Sequence, residues 1–177
     1  MNVLQTERLT LRRLSPDDAE FILNLLNQPS FLRFIGDKGV RNTEEAINYI
    51  QTGPVASYEQ HGFGLYLVEL KEIRAAIGMC GLLKRDTLAD VDIGFAFLPE
   101  YWSRGYALEA AEAVMKYGRE KFGLQRIVAI TSLDNESSIN LLQKLGMKFE
   151  GLIKLGDDQH EVRLFGSGVS ATAQPGP

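Results

Sequence analysis

The chain has 177 residues, a formal net charge of −4 and a single cysteine, a composition typical of one ordinary globular domain. This balance excludes a basic surface for nucleic acid, and the lone Cys80 excludes an internal disulfide. The N-terminus carries charges where a signal peptide is apolar, and no apolar run is long enough to span a membrane. We therefore expect a cytoplasmic protein that binds neither nucleic acid nor membrane.

The first half of the chain predicts strands and helices, with polar residues marking where elements begin. Ser15–Asp18 favours a helix start, because serine caps a first turn and proline fits the first helical position. In order, the predicted elements are a strand over Leu9–Leu14, a helix from Ser15 to about Leu26, a loop over Pro29–Gly39 that contains Phe31, Leu32, Phe34 and Ile35, a helix from Asn42 to about Gln51, and strands over Gly62–Leu70 and Ala75–Leu83.

The second half continues this mixture and ends in a tail. Its predicted elements are a strand over Val91–Phe97, a helix from about Gly105 to Phe122 that Gly123 ends, a strand over Arg126–Thr131, a helix from Asn135 (or Asp134) to Leu145, and strands over Lys148–Leu155 and Glu161–Phe165 joined by a turn at 156–158. The mixed order predicts an α+β or α/β sheet with helices on both faces. We expect a single domain over residues 1–165 and a disordered tail over Gly166–Pro177, which has little to bury.

The most informative segment joins the strand at Val91–Phe97 to the long helix. The connecting turn, Trp102–Ala107, contains a glycine and leads directly into the first helical turn. The unpaired N–H groups of that turn, together with the helix dipole, favour an anion. Gly105 lets the backbone approach a bulky anion, and the small Ala107 keeps the approach open. The segment therefore predicts a site for a phosphate or a pyrophosphate.

Two common phosphate motifs are absent from the sequence, namely G-x-x-x-x-G-K-S/T and G-x-G-x-x-G after a strand. The turn reads W-S-R-G-Y-A and resembles the acyl-CoA pyrophosphate loop of the GNAT N-acetyltransferases, R/Q-x-x-G-x-G/A. Its tryptophan departs from the wider pattern and is similar to the RimJ/RimL-like branch, the ribosomal-protein-alanine N-acetyltransferases. The blocks Thr6–Ala19 and Arg126–Gly151 also resemble that branch, so the resemblance extends over Leu4–Phe165.

This resemblance implies the GNAT fold, a mostly antiparallel sheet that splays at one point and holds the pantetheine arm in the split. It also implies acetyl-CoA as cofactor, and direct attack of a primary amine on the acetyl group in a ternary complex. The residues that it places at the cofactor are Phe95, Ala96 and Phe97 on the strand, Trp102, Ser103, Arg104, Gly105, Tyr106 and Ala107 in the loop, and Asn135 and Ser138 after the next strand.

Two residues are candidates for the catalytic proton transfers. Ser138 is placed by the resemblance near the sulfur, where its hydroxyl would donate to the leaving thiolate. Asp92 alternates with the apolar residues of its strand, so it faces the side of Gly94 and Ala96, where small residues leave room for a ligand. It is a general base for the amine, directly or through water, or else a solvated strand carboxylate or an ion-pair partner of Arg85.

Other polar residues near these segments have structural interpretations. Glu109 lies in the first turns of the long helix, where a carboxylate favours the helix dipole. Asn135 is a good N-cap for the short helix as well as a candidate ligand contact. Some family members carry a glutamate where this chain has Val128, so no base is expected there. Two histidines and one cysteine, far apart, predict no metal site.

The sequence therefore favours an N-acetyltransferase, with a non-catalytic acyl-CoA-binding or regulatory module on the same fold as the alternative. The acceptor amine is either a protein or peptide N-terminus or a small molecule. Monomer and homodimer both remain open. No covalent intermediate on the enzyme is expected, because an amine attacks a thioester directly and the protein mainly aligns the two reactants.

Overall fold

One sheet dominates the computed structural model, which describes residues 2–156 and 160–168. Its described strands lie in the order β1-β2-β3-β4-β5-β6-β8-β7, and every neighbouring pair is antiparallel except β5 and β6. The expected mostly antiparallel α+β sheet is thus confirmed. The strands are β1 (Asn2–Gln5), β2 (Leu9–Arg13), β3 (Leu65–Leu70), β4 (Ala75–Leu83), β5 (Asp92–Phe97), β6 (Ile127–Thr131), β7 (Lys148–Leu155) and β8 (His160–Ser167).

Helices cover both faces of this sheet, as predicted. Ile22 and Ile50 pack with Leu67 and Met79 on one face, whereas Val114 of the long helix packs into a second cluster on the other. Within the described ranges, no helix has the length and apolar content needed to cross a membrane. The helices are α1 (Ala19–Leu26), α2 (Pro29–Phe34), α3 (Thr43–Ile50), α4 (Ala56–His61), α5 (Tyr106–Phe122) and α6 (Glu136–Lys144).

The predicted helix boundaries agree with the local hydrogen bonds. The Asp18 carboxylate accepts a bond of 2.9 Å from the backbone N–H of Ser15, and a short 3₁₀ turn leads from there into α1. Gly123 ends α5 in the left-handed region, at φ +66°, and donates its N–H to the carbonyl of Arg119. A glycine adopts this conformation without the strain that a Cβ atom would add.

Three short elements were not predicted. The expectation of a loop over Pro29–Gly39 is wrong, because Pro29–Phe34 forms α2, with Phe31 only 5% exposed. The helix expected to end near Gln51 continues through a π-helical segment into α4, and β1 pairs with β2. Elements of four to six residues show too little periodicity to be detected, and such short helices depend on tertiary packing.

The final strand runs farther than predicted. β8 extends through Gly166 to Ser167, whose hydroxyl donates to the carbonyl of Ile127 at 3.1 Å, so the expected tail starts too early. Gly166 leaves room for the ion pair between Arg126 and Glu150, because an added Cβ would lie 2.0 Å from a carboxylate oxygen of Glu150. The predicted turn at 157–158 and the tail at 169–177 lie outside the described residues.

The sheet splits between β5 and β6. The described residues of these parallel strands pair at a single position, Asp92 with Val128, where the N–H of Val128 donates to the carbonyl of Val91 at 3.0 Å. Beyond this bridge the carboxyl half of β5 is paired with β4 alone. The two strands therefore separate toward their carboxyl ends, and α5 begins at the same end of the sheet.

We predict that Gly81→Ala destabilises the fold by about 1–3 kcal/mol, since over-packing typically costs this much. A Cβ at Gly81 would lie 2.0 Å from the carbonyl oxygen of Gly64, a backbone atom that cannot rotate away. Thermal unfolding would show it as a fall in Tm of roughly 2–4 °C per kcal/mol.

The matched control is Gly53→Ala. Gly53 lies in the helical segment Gln51–Val55, and its added Cβ would meet no described atom within 4 Å. Alanine favours helical backbone, so this variant should be as stable as the parent or slightly more stable. Equal Tm changes in the two variants would contradict the close strand packing at Gly81.

Candidate active site

The turn between β5 and α5 has the backbone geometry of an anion site. Ser103 and Gly105 lie in the left-handed region at φ +62° and +82°, and residues 102–105 are all exposed. Gly105 is the N-cap of α5 and provides no side-chain cap. The first N–H groups of this 17-residue helix therefore lack a capping side chain, and uncapped groups of this kind favour anions.

The aromatic residues of this turn differ in what they can reach. The indole Nε1 of Trp102 donates to the carbonyl of Phe97 at 2.9 Å, while 42% of the residue stays exposed. Its ring is thus held in place beside the turn with one surface open. The Tyr106 ring is buried and packs near Tyr101, so its backbone N–H, and not its ring, is the group available to a ligand.

The edge of β5 presents backbone groups to the split. The N–H of Leu98 donates to the carbonyl of Ile77 on β4. Antiparallel pairs alternate between bonded and non-bonded positions, so Phe97 and Phe95 direct their N–H and carbonyl groups away from β4, toward β6. The bond from Trp102 to the Phe97 carbonyl agrees with this alternation. The peptide groups of Phe95 and Phe97 therefore line the split, whereas Ala96 bonds toward β4.

Asn135 and Ser138 lie at the other border of the split, where α6 begins. The side-chain oxygen of Asn135 accepts a bond of 3.3 Å from the backbone N–H of Ser138, so the predicted N-cap is confirmed. The Ser138 hydroxyl and the Asn135 amide N–H₂ have no hydrogen-bond partner among residues 2–156 and 160–168. Since β5 and β6 are parallel, their carboxyl ends lie at the same end of the sheet on the two sides of the split, and α5 contacts α6.

Sequence reasoning missed a second hydroxyl at this border, that of Ser132. It directly follows β6, and its Oγ is buried without a hydrogen-bond partner in the part of the chain that the structure describes. A buried polar atom without a partner is costly, and such an atom usually marks a bound group or water. No sequence pattern distinguished Ser132 from the other serines of this segment.

Asp92 lies at the foot of the split, within the bridge to Val128. Its side chain is 1% exposed, and the Nε of Arg85 donates to both carboxylate oxygens, at 3.1 and 3.2 Å. Burial raises the pKa of this carboxyl, although Arg85 opposes the shift. Gly94 and Ala96 on the same strand are half-buried, and a Cβ on Gly94 would lie 3.0 Å from a methyl group of Leu83.

Glu109 has the structural role that its position in the helix predicted. Its carboxylate accepts bonds from the Thr6 hydroxyl at 2.9 Å and from the Nε of Arg8 at 3.2 Å. Arg8 also donates to the carbonyl of Arg104 at 3.0 Å and lies 4.5 Å from the centre of the Tyr106 ring. The N-terminal block of the sequence thus contacts the turn between β5 and α5 directly, which its pattern alone did not indicate.

These groups fit a long ligand that has a pyrophosphate at one end and an amide-bearing arm. The α5 N-terminus offers N–H donors to the phosphates, and the β5 edge offers peptide groups to the arm. Asn135, Ser138 and Ser132 offer polar groups on the opposite border. Acetyl-CoA has this chemistry. Among the described residues, no group of three or more His, Cys, Asp or Glu side chains could hold a metal ion.

The comparisons with known proteins agree with this geometry. The GNAT acetyltransferase domain family matches residues 8–148. The uncharacterized N-acetyltransferase YoaA of Bacillus subtilis (strain 168) is 34% identical over 154 residues, which are 86% of this chain and 86% of that protein.

Two solved structures have the same fold. A GNAT-family acetyltransferase from Bacillus anthracis is 26% identical, with a TM-score of 0.77 over 94% of this chain and 98% of that chain. RimL, a ribosomal L7/L12 alpha-N-protein acetyltransferase solved in complex with coenzyme A, is 17% identical, with a TM-score of 0.80 over 96% and 98%. The family match covers most of the chain and includes the β5–α5 turn, so this protein belongs to the GNAT acetyltransferases.

Proposed function

We propose that this chain transfers the acetyl group of acetyl-CoA to a primary amine by direct attack in a ternary complex. The observation that carries the proposal is the uncapped start of α5 at the open end of the split between β5 and β6. The acceptor is a protein or peptide N-terminus or a small-molecule amine. The protein's main contribution is to align the thioester with the amine. Alignment of two reactants can lower the reaction barrier by up to roughly 7–11 kcal/mol.

Acetyl-CoA supplies an activated thioester, so the chain needs no nucleophile of its own. In this proposal the backbone N–H groups at Gly105, Tyr106 and Ala107 hold the pyrophosphate, and Ser103 and Arg104 lie beside it. The exposed face of Trp102 covers part of the cofactor. The left-handed Gly105 supports this assignment, because a Cβ there would lie 3.2 Å from the Arg8 guanidinium at the start of the helix.

The strand β5 orients and polarises the thioester. The N–H of Phe95 or Phe97 points into the split and donates to the thioester carbonyl oxygen, a contact that strengthens as negative charge develops on that oxygen. The adjacent carbonyl groups accept hydrogen bonds from the pantetheine amides, as a neighbouring strand would. Ala96 contributes a small side chain at this point.

Residues on the opposite border of the split hold the pantetheine arm and protonate the departing thiolate. The Asn135 amide contacts the pantetheine, while its oxygen keeps the cap on α6. The Ser138 hydroxyl donates to the departing thiolate. Its lack of a protein partner among the described residues supports this role, because the hydroxyl is not engaged elsewhere.

Asp92 assists deprotonation of the acceptor ammonium through water. Its position in the bridge between β5 and β6 places a negative charge at the foot of the split. Direct contact with the amine is not favoured, because the carboxylate is almost fully covered and both oxygens face Arg85. A carboxylate that acts through water needs only to stabilise the positive charge on the water molecule that takes the proton from the ammonium. The proton then passes to bulk water.

The same burial of Asp92 favours a second candidate function, an acyl-CoA-binding module without catalysis. Such a module needs the loop and the split but no path for a proton. Release of the CoA thiol from acetyl-CoA in the presence of a panel of amines distinguishes the two functions. Turnover with any amine supports the enzyme, whereas tight CoA binding without turnover across the panel supports the module.

We predict that Gly105→Val weakens CoA binding at least about tenfold, a loss of roughly 1.4 kcal/mol. The branched side chain would stand at the entrance to the helix N-terminus, and it would strain a residue at φ +82°. Isothermal calorimetry with CoA measures the affinity.

Gly123→Val is the matched control for strain. It places the same side chain at φ +66°, at the opposite end of the same helix, with no described atom within 4 Å of the added Cβ. Its Tm should fall in the same way, while its CoA affinity stays at the parent value. Unchanged affinity in a folded Gly105→Val protein would remove the pyrophosphate from this turn.

We predict that Ser138→Ala lowers kcat about 10- to 10³-fold and leaves the affinity for CoA nearly unchanged. The cap on α6 survives this change, because the backbone N–H of residue 138 makes the bond to Asn135. The exposed neighbour Ser137 provides the control, and Ser137→Ala should keep the full kcat. Full kcat in Ser138→Ala would limit Ser138 to its capping role.

We predict that Asp92→Asn lowers kcat/KM most in the acidic part of the range from about pH 6 to pH 10, where few acceptor amines are deprotonated. The free amine becomes abundant as pH rises, so the deficit should shrink at high pH. Burial raises the pKa of Asp92, so its assistance appears as pH rises through that pKa and is lost below it.

Asp90→Asn is the control for this profile. It makes the same chemical change two residues earlier, in a carboxylate paired with Arg126 at 3.0 Å. Its pH–rate profile with one common amine should match that of the parent. Superimposable profiles for Asp92→Asn and the parent would remove Asp92 from the mechanism.

A further inference from the structure

We propose that Arg8 is a cofactor-binding residue, whose free guanidinium nitrogen contacts a phosphate of acetyl-CoA at the start of α5. The proposal rests on the proposed function, because it takes the β5–α5 turn as the pyrophosphate site. It adds to that turn a cation from the opposite end of the sequence. The ligand group recognised is a phosphate dianion or pyrophosphate.

The contacts of the guanidinium assign two of its three nitrogens. Nε donates to Glu109 at 3.2 Å and Nη1 donates to the Arg104 carbonyl at 3.0 Å. Nη2 makes no hydrogen bond to any residue of the described ranges, and it lies 3.2 Å from the position that a Cβ on Gly105 would take. The remaining nitrogen of Arg8, Nη2, is therefore next to the N-cap of the helix.

The side chain is held in this position but is not buried. The guanidinium carbon lies 4.5 Å from the centre of the Tyr106 ring, and 40% of the side chain is exposed. A planar guanidinium fixed on two sides has lost most of its freedom before a ligand arrives, which lowers the entropic cost of a further hydrogen bond. A solvent-facing phosphate can reach it.

Charge gives a second reason for an arginine at this position. Glu109 lies in the first turns of α5, beside the site for a highly charged anion, and its negative charge would repel a pyrophosphate. Arg8 pairs with this carboxylate, and the Thr6 hydroxyl donates to its other oxygen at 2.9 Å. Arg8 thus cancels the unfavourable charge and leaves its Nη2 amino group for the ligand.

The test is the dissociation constant of CoA, measured by calorimetry for the parent, Arg8→Met and Arg8→Lys. Losing a charge-assisted contact should weaken CoA binding about 10- to 100-fold in Arg8→Met. Arg8→Lys keeps the charge but cannot form the two-sided contact, so it should recover part of the affinity. Arg13→Met is the control, because Arg13 also lies over a tyrosine, 5.0 Å from the centre of the Tyr58 ring, and should bind CoA normally.

The dependence of CoA affinity on salt concentration distinguishes a direct contact of Arg8 with the phosphate from a purely structural role of Arg8. Salt screens a contact between arginine and phosphate. The ratio of the CoA dissociation constant of Arg8→Met to that of the parent should therefore shrink as ionic strength rises from about 0.05 M to about 1 M. If Arg8→Met only distorts the turn, its loss of CoA affinity should be the same at every salt concentration, and that result would overturn the proposal. An unchanged CoA affinity in Arg8→Met would overturn it as well. Normal CoA affinity in Gly105→Val would instead contradict the proposed pyrophosphate site itself.

Discussion

A single backbone bridge, between Asp92 and Val128, joins the two halves of the sheet in the described structure. One bridge supplies little cohesion, so side chains must hold the foot of the split together. Arg126 does this, because it donates to Asp90 at 3.0 Å and to Glu150 at 2.8 Å and is only 13% exposed. Bonds of this charge-assisted kind contribute about 1.5–3 kcal/mol each. The strands can therefore diverge at one end without the sheet separating.

The divergence leaves the carboxyl half of β5 as an internal sheet edge. Unpaired strand edges are a liability that most proteins cover or shorten. Here the exposed stretch is short, and the same segment of chain continues into the uncapped start of α5. A strand edge without a β-sheet partner and a helix start without a capping side chain are thus close together in the sequence. A ligand that has an amide-bearing arm and a pyrophosphate satisfies both at once.

Local patterns predicted the parts of this arrangement that are encoded within a few residues. The alternation through β5, the glycine at the start of α5 and the Asn135 cap are of this kind, and the structure has each of them. The helices α2 and α4, six residues each, escaped prediction because tertiary packing stabilises them. Contacts between distant segments could not be predicted either, because they depend on the tertiary structure and leave no local pattern in the sequence. Arg8 and Glu109 are 101 residues apart, and nothing in either segment indicates the other.

Asp92 shows how the joint of the sheet limits the chemistry of the site. A carboxylate at the bridge must be covered, and a covered carboxylate needs a cation, which Arg85 provides. The same pairing keeps both oxygens turned from an approaching amine, and an arginine does not relay protons because it stays charged at any ordinary pH. In the proposed reaction, proton removal at this position would therefore pass through water. A thioester tolerates such a route, because it is reactive enough for a neutral amine. Under this proposal the chain uses its polar groups mainly to align the two reactants.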